Sequence, residues 1–320
     1  MKESIPQIID ANINRASEGL RVIEDYCRFI SHQKEITEKL ASLRKKINMT
    51  ETESDKIRHL NARNTENDMR AKEAPPSRPD KISILKANFK RVEEALRVLE
   101  EYTENPNYNE ARYDVYELEK EVLLTVIKPC IKPGIYLISH DVDILKKGLE
   151  WGVSLIQLRD KEADKPSLYE KAKALIIESK KKEIPLIIND FLDIALSVDA
   201  DGVHTGQDDI PISEQRNILG AHKLIGRTTH SLDQGLLAEK DGADYVSVGP
   251  IWETPSKPNR DGIGFDYLEK AKKEISIPYV AIGGINHNTI DQIYPHTPPL
   301  IGLIRDYEHI PEFLKHLTQK

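Results

Sequence analysis

From residue 135 onward, short apolar runs alternate with amphipathic stretches at intervals of roughly twenty residues, and nothing else in the 320-residue chain restricts its fold as tightly. The runs are "IYLIS" (135 to 139), "SLIQLR" (154 to 159), "PLIIND" (185 to 190), "GVHTG" (202 to 206), "KLIGRTT" (223 to 229), "YVSVGP" (245 to 250), "PYVAIGG" (278 to 284) and "LIGLIR" (300 to 305). Between them the spacing predicts helices such as 168 to 182, 231 to 241 and 265 to 273. Strands that are apolar on both faces belong in a parallel sheet covered by helices, and eight such units close a (β/α)8 TIM barrel. A doubly wound open sheet is the alternative, weakened because no GxGxxG follows the first run.

Upstream the pattern is different. Residues 7 to about 127 carry helical periodicity and almost no alternating β-branched runs, so the expected class is α/β, a barrel preceded by an all-α domain. The boundaries fall at 1 to 127 for the helical domain, 128 to 134 ("KPCIKPG") for a Pro/Gly-punctuated linker, and 135 to 320 for the barrel. Within the helical domain a single phrase occurs twice, "ANINRASEGLRVIEDY" and "ANFKRVEEALRVLEEY", related by the pattern A-N-x-x-R-x-x-E-[G/A]-L-R-V. On a helix Asn12 and Arg15, and equally Asn88 and Arg91, fall toward the apolar face. Polar groups there are costly unless paired, so they either satisfy one another and Glu18 or Glu94 where the two helices join, or line a pocket. The repeat predicts a paired helical architecture, within one chain or between the subunits of a homo-oligomer. The polar, proline-containing stretch 63 to 80 is expected as an irregular crossing between helices.

The chemistry is concentrated at the ends of the predicted strands, where a barrel places its catalytic residues. Strand two ends in Gln157, Arg159 and Lys161, strand three in Asn189 and Asp190, and strand four runs through His204 into Gln207, Asp208 and Asp209. Strand five ends in Thr228, Thr229 and His230, and the loop after strand six carries Thr254, Ser256 and Lys257. Singly, Asp190 could be a helix cap, His204 a satisfied core histidine, and Arg159 and Lys161 a solvated loop. Five successive polar strand ends are not explained that way. Arg159, Lys161 and Lys257 offer cations to phosphate oxygens, and Asp190 and Asp209 are hard-oxygen ligands suited to Mg2+. Together they describe a magnesium pyrophosphate site. Gly283 and Gly284, with the end of strand eight, fall where barrels commonly bind a second phosphate.

Composition narrows the partners. A net charge of -7 argues against a nucleic-acid or anionic-membrane protein while allowing a local basic pocket. The two cysteines, Cys27 and Cys130, make neither a disulfide framework nor a zinc motif. No apolar run approaches the roughly 18 to 20 residues of a membrane span, and no signal sequence is legible at the start, so a cytoplasmic setting is expected.

Over residues 131 to 305 the motifs "QLRDK", "IINDFLDIAL", "DGVHTGQDDIP", "IGRTTH", "GPIWETPSK" and "AIGGI" resemble the thiamine phosphate synthase family in order and approximate spacing. The resemblance implies a transferase that condenses hydroxymethylpyrimidine pyrophosphate with a thiazole phosphate, releasing pyrophosphate. It implies that Gln157, Arg159, Lys161, Asn189 and Lys257 hold the pyrimidine pyrophosphate beside His204 and Thr228, with Lys161, Thr228 and Lys257 as the catalytic set and Asp190 and Asp209 holding Mg2+. Thr254, Ser256, Gly283 and Gly284, with Ile304 and Arg305, would meet the thiazole phosphate. The family usually has Ser in place of Thr228, and its eighth strand ends in a "GVAVVSAI"-like loop where this chain places Arg305 in "LIGLIRDYE". Alternatives on the same fold are a thiazole tautomerase, which has largely lost the pyrophosphate set, and a non-catalytic phosphate-binding barrel.

Residues 5 to 125, including "RNTENDM" at 63 to 69, resemble the helical domain fused ahead of such synthases in some bacteria. That resemblance implies an ATP-dependent hydroxymethylpyrimidine phosphate kinase, with Asn12, Arg15, Arg63, Asp68, Asn88 and Arg91 as candidate pocket residues. No GxxxxGK[ST] loop is present in this half, and Asn64 stands where the family has Asp. A scaffold role is the alternative.

Overall fold

A computed structural model describes residues 5–64, 76–254 and 261–318. The chain divides into two compact units, Met1–Ile127 and Lys128–Lys320.

In the first unit the helices are α1 (Ile5–Phe29), α2 (Lys34–Asn48), α3 (Glu53–Ala62), α4 (Lys81–Thr103) and α5 (Pro106–Ile127). The doubled phrase builds α1 and α4, which pack on each other, while α2 packs on α1 and α5 on α4. Their apolar faces close a core that includes Leu20, Ile23, Phe89, Leu96 and Leu99, all fully buried. The copies repeat each other's polar contacts. Asn12 and Asn88 each donate to the backbone carbonyl four residues back, at 2.8 Å. Arg15 and Arg91 in turn donate to Oδ1 of their own Asn, at 3.5 and 3.2 Å. Glu24 pairs with Arg44 on α2 at 3.0 Å, and its counterpart Glu100 pairs with Arg112 on α5 at 3.2 Å.

The glycine at the repeat's Gly/Ala position has a packing cause. A Cβ on Gly19 would lie 2.7 Å from Val92 Cγ2 and 3.1 Å from the Asn88 carbonyl oxygen, so glycine sets the closeness of the α1–α4 crossing. The equivalent position on α4 accepts Ala95.

The second unit is the expected barrel. Its strands are β1 (Gly134–Ser139), β2 (Leu155–Leu158), β3 (Leu186–Asn189), β4 (Gly202–Thr205), β5 (Leu224–Thr229), β6 (Tyr245–Val248), β7 (Tyr279–Ile282) and β8 (Leu300–Leu303). They are parallel, in sequence order, and closed by pairing of β1 with β8 in the register Tyr136 with Gly302. The covering helices are α6 (Val142–Trp151), α7 (Lys165–Lys182), α8 (Leu192–Ser197), α9 (Ile212–Leu219), α10 (Leu232–Lys240), α11 (Asp266–Glu274) and α12 (Ile310–Thr318). Between β7 and β8 the described residues form two short 3-10 turns, Ile290–Gln292 and Tyr294–His296.

Local chemistry starts several of these helices. Asp141, Asp164 and Ser231 cap α6, α7 and α10 by accepting from backbone N–H groups of the first turn. Strand residues that face outward, among them Leu137, Ile156, Ile188, Val203, Ile225 and Val246, pack beneath the helices in one apolar layer. A second, smaller apolar cluster fills the barrel interior and includes Tyr136, Leu155, Ile187, Tyr245 and Val280. The two tyrosines in that cluster carry hydroxyls into the barrel, and those hydroxyls begin the functional site.

Candidate active site

At the C-terminal ends of the strands the barrel opens into a cavity of about 1020 Å³. Of the residues singled out from the sequence, its wall includes Gln157, Arg159 and Lys161 after β2, Asn189 and Asp190 after β3, and His204 and Asp209 from β4 and its loop. Gln207 and Asp208 in the same loop, Thr228 and His230 at the end of β5, Thr254 after β6, Gly283 and Gly284 after β7, and Ile304 and Arg305 after β8 complete the set. Ser256 and Lys257 lie outside the described residues, as does Asp68 of the helical unit.

The floor is a continuous polar relay through the interior. Gln157 Nε2 donates to the Tyr136 hydroxyl at 2.5 Å, and the Tyr136 and Tyr245 hydroxyls are 2.8 Å apart. Tyr245 Oη lies 3.2 Å from His204 Nδ1, and His204 Nε2 lies 3.0 Å from Thr228 Oγ1. Gln157, Tyr136 and Tyr245 are almost wholly inaccessible to solvent, so each polar atom requires a partner. Gln157 donates to Tyr136, and the contacts run on through Tyr245 and His204 to Thr228, so each of these buried groups has a partner. Burial pushes both phenols far above the ordinary tyrosine range, which keeps their hydroxyls protonated. His204 is thus both a satisfied interior histidine and part of the cavity wall.

Backbone space makes the relay possible. A Cβ at Gly226 on β5 would overlap the Tyr245 ring and hydroxyl and His204 Nδ1, so these two side chains meet in the volume that glycine leaves free.

On one side of the cavity sit two carboxylates. Burial, and then the nearby Asp209 charge, push the Asp190 carboxyl above its ordinary range, against the opposing pull of Lys161, Asn189 and Arg159. Asp190 adopts φ 64°, a left-handed conformation uncommon outside glycine, and is not a helix cap. Asp209 Oδ2 accepts the Gly206 N–H at 2.6 Å. The loop that carries Asp209 is held from below by the buried Arg227 guanidinium, which donates to the carbonyls of Gly206 and, at 2.9 Å, Ile210. Arg159, Lys161 and Arg305 form no ion pair or side-chain hydrogen bond among the described residues, so their donors face the cavity uncommitted. Gly283 and Gly284, at φ 103° and 74°, line the opposite side with no side chain between backbone and cavity.

The sequence motifs did not single out Tyr136, Ser247, Asn286 or Asp306 in this wall, nor Tyr245 beneath it or Arg227 behind it. The available signal for the tyrosines was their place on strands "IYLIS" and "YVSV", where a large aromatic with a hydroxyl inside a barrel needs a partner.

Residues 130–304, more than half of the chain, match the model described as thiamine monophosphate synthase. The chain belongs to this family. The thiamine monophosphate synthase match covers the barrel, and residues 7–121 match the model of the ThiD2 family. A thiamine-phosphate synthase of Prochlorococcus marinus is 39% identical, with 91% of this chain and 88% of that protein covered. Another, from Synechocystis sp., is 36% identical over 94% of this chain and 91% of its own length. Among solved structures, a thiamine phosphate pyrophosphorylase from Pyrococcus furiosus is 32% identical with a TM-score of 0.54, covering 59% of this chain and 96% of that one. The chain is accordingly a transferase of thiamine biosynthesis that forms thiamine phosphate. No described helix is long and apolar enough to cross a membrane.

In the helical unit the candidate pocket residues are largely engaged with one another. Arg63 binds both oxygens of Asp10, at 2.7 and 2.8 Å, and Arg15 and Arg91 hold their own asparagines. Of the two expectations for these groups, mutual satisfaction or a pocket lining, each Arg does hold its own Asn, and it does so within one helix because an i, i+3 Arg reaches that Asn first.

Proposed function

We infer that the cavity binds hydroxymethylpyrimidine pyrophosphate with its ring on the relay and its pyrophosphate between the cations and the two carboxylates, and a thiazole phosphate at the glycine end. The observation that carries this reading is that cationic side chains and a pair of carboxylates line one cavity above a polar floor. With Nε2 engaged by Tyr136, Gln157 has Oε1 left to accept on one wall, and Thr228 presents a hydroxyl on another. An aminopyrimidine lying between them can offer its amino N–H to the first and a ring nitrogen to the second.

Asp190 and Asp209 fit a hard dication. Two facing carboxylates, one already raised by burial and by the other, are relieved by positive charge between them. We assign them to Mg2+, which when bound supplies positive charge to the pyrophosphate oxygens. Arg159 and Lys161 neutralise the leaving pyrophosphate as the bond to the pyrimidine methylene lengthens. Lys257 and Ser256, outside the described residues, are given their anion-binding roles by the family resemblance alone. The aminopyrimidine stabilises the methylene cation, which the thiazole nitrogen captures. No covalent bond to the protein forms, and positioning and electrostatics account for the acceleration. Gly283 and Gly284 offer backbone N–H groups, and Arg305 a guanidinium, to the thiazole phosphate.

The test is thiamine phosphate formation from the two substrates with Mg2+. Asp190→Asn is expected to lower kcat by about 10²-fold or more with an unchanged melting temperature; turnover near that of the parent chain would refute the assignment.

For the helical unit, the ThiD2 match supports ATP-dependent phosphorylation of hydroxymethylpyrimidine phosphate, the step that produces the barrel's substrate. Full-length protein given that monophosphate, ATP and Mg2+ should release ADP. If ADP fails to appear while the barrel stays active, the unit is a scaffold.

A further inference from the structure

Outside the carboxylate pair, a different group of ligands gathers where the loops after β7 and β8 meet. His287 Nδ1 lies 3.1 and 3.2 Å from the two oxygens of Asp306, and His309 Nδ1 lies 2.8 Å from Asp306 Oδ1. One ligand atom from each of the three residues can be chosen so that all lie within 4.8 Å of one another. The two imidazoles are stacked, with centroids 4.6 Å apart, and so present both Nδ1 atoms to one carboxylate. Asp306 is itself fixed, at φ 59° and with Oδ2 accepting the His287 N–H at 2.5 Å.

We propose that His287, Asp306 and His309 form a binding site for a transition-metal dication of the zinc class. Adjacent ligands of a tetrahedral zinc, bonded at about 2.0–2.2 Å, are separated by about 3.3 Å. The observed separations from Asp306 are within about half an ångström of that, and a ligand atom of one imidazole lies within 4.8 Å of one on the other, so the ion needs only the two imidazoles to draw in over one carboxylate. Two imidazoles and one carboxylate select zinc, cobalt, nickel or copper over magnesium, whose preference is for oxygen alone. Three protein ligands leave a coordination position open. Asp306 also lines the cavity beside Arg305, so that position lies at the rim where an oxygen ligand, water or phosphate, can reach it. Binding ties together the two loops that flank this end of the barrel.

The test uses untagged full-length protein, stripped of metal and titrated with Zn2+ in excess Mg2+. One zinc per chain is expected, together with visible absorption of tetrahedral character when Co2+ is substituted. The exposed His287→Gln and the half-buried His309→Gln should each weaken this site at least tenfold, and the double variant should abolish the Co2+ spectrum, with circular dichroism unchanged. Zinc binding of equal stoichiometry and affinity in the double variant, or none in the parent chain, overturns the proposal.

Discussion

Tyr136 on β1 and Tyr245 on β6 touch hydroxyl to hydroxyl at 2.8 Å inside the barrel, although 109 residues separate them in the chain. Their rings meet edge to face, with centroids 5.8 Å apart. The pair transmits the orientation of Gln157 on one wall to that of His204 and Thr228 on another.

Tyr245→Phe removes the middle of that relay and takes from the Tyr136 hydroxyl its buried hydrogen-bond partner. Burial of unsatisfied groups costs about 1–3 kcal/mol, to be read as a lower urea midpoint with unchanged slope. Gln157 and His204 also lose the contacts that run between them through Tyr245, so KM for the pyrimidine substrate should rise about tenfold, the equivalent of 1.4 kcal/mol.

Gly226→Ala tests the same relay from the backbone side. The added methyl group must displace Tyr245 or His204, and overpacking of a filled interior costs about 1–3 kcal/mol. Synthase activity should fall further than for Tyr245→Phe, because both ring positions shift. An alanine variant with parental kinetics would show that the relay does not position substrate.

Arg227 sets the Asp209 loop. Arg227→Met leaves the carbonyls of Gly206 and Ile210 without their donor, and the loop is then free to move. The expected result is about a tenfold rise in the Mg2+ concentration that gives half-maximal rate, with a smaller rise for Arg227→Lys, which restores charge but not the two-pronged geometry. Equal Mg2+ dependence in parent and Met variant would remove Arg227 from this role.

The pH response of the barrel exterior follows from Asp199. Hydrogen bonds from Lys180 and Lys223, both at or near 2.5 Å, hold its carboxyl down at about 2 against the ordinary 3.8. A carboxyl depressed by folding adds stability that is complete above about pH 4 and is lost as pH falls through about 2. In Lys223→Ala the Asp199 titration, followed by carboxyl-carbon NMR, should move toward 3.8. Its stability deficit relative to the parent should shrink below pH 3.

The barrel was legible because its strands are apolar on both faces and recur at a fixed spacing, a pattern few other folds require. The polar strand ends were legible for the same reason: residues such as Arg159 and Asp190 interrupt an apolar run at the point where the run stops. Tyr136 and Tyr245 were not, since inside a strand an aromatic looks like core, and only the closed barrel brings their hydroxyls together. Arg227 was hidden inside "IGRTTH", whose alternation assigns no partner to a buried guanidinium. His287 and Asp306 are 19 residues apart, and their contact depends on the 3-10 turns that replace a helix between β7 and β8. In the helical unit the repeat was plain, and its Asn and Arg, expected either to satisfy one another where the helices join or to line a pocket, bond one another within each helix.

The relay also constrains how such enzymes diverge. Each of its five side chains answers a neighbour's polar atom, and Gly226 holds the space for two of them. A change at any one of them is therefore felt by its neighbours, so the floor of the barrel answers to substitution as one unit rather than as five separate contacts.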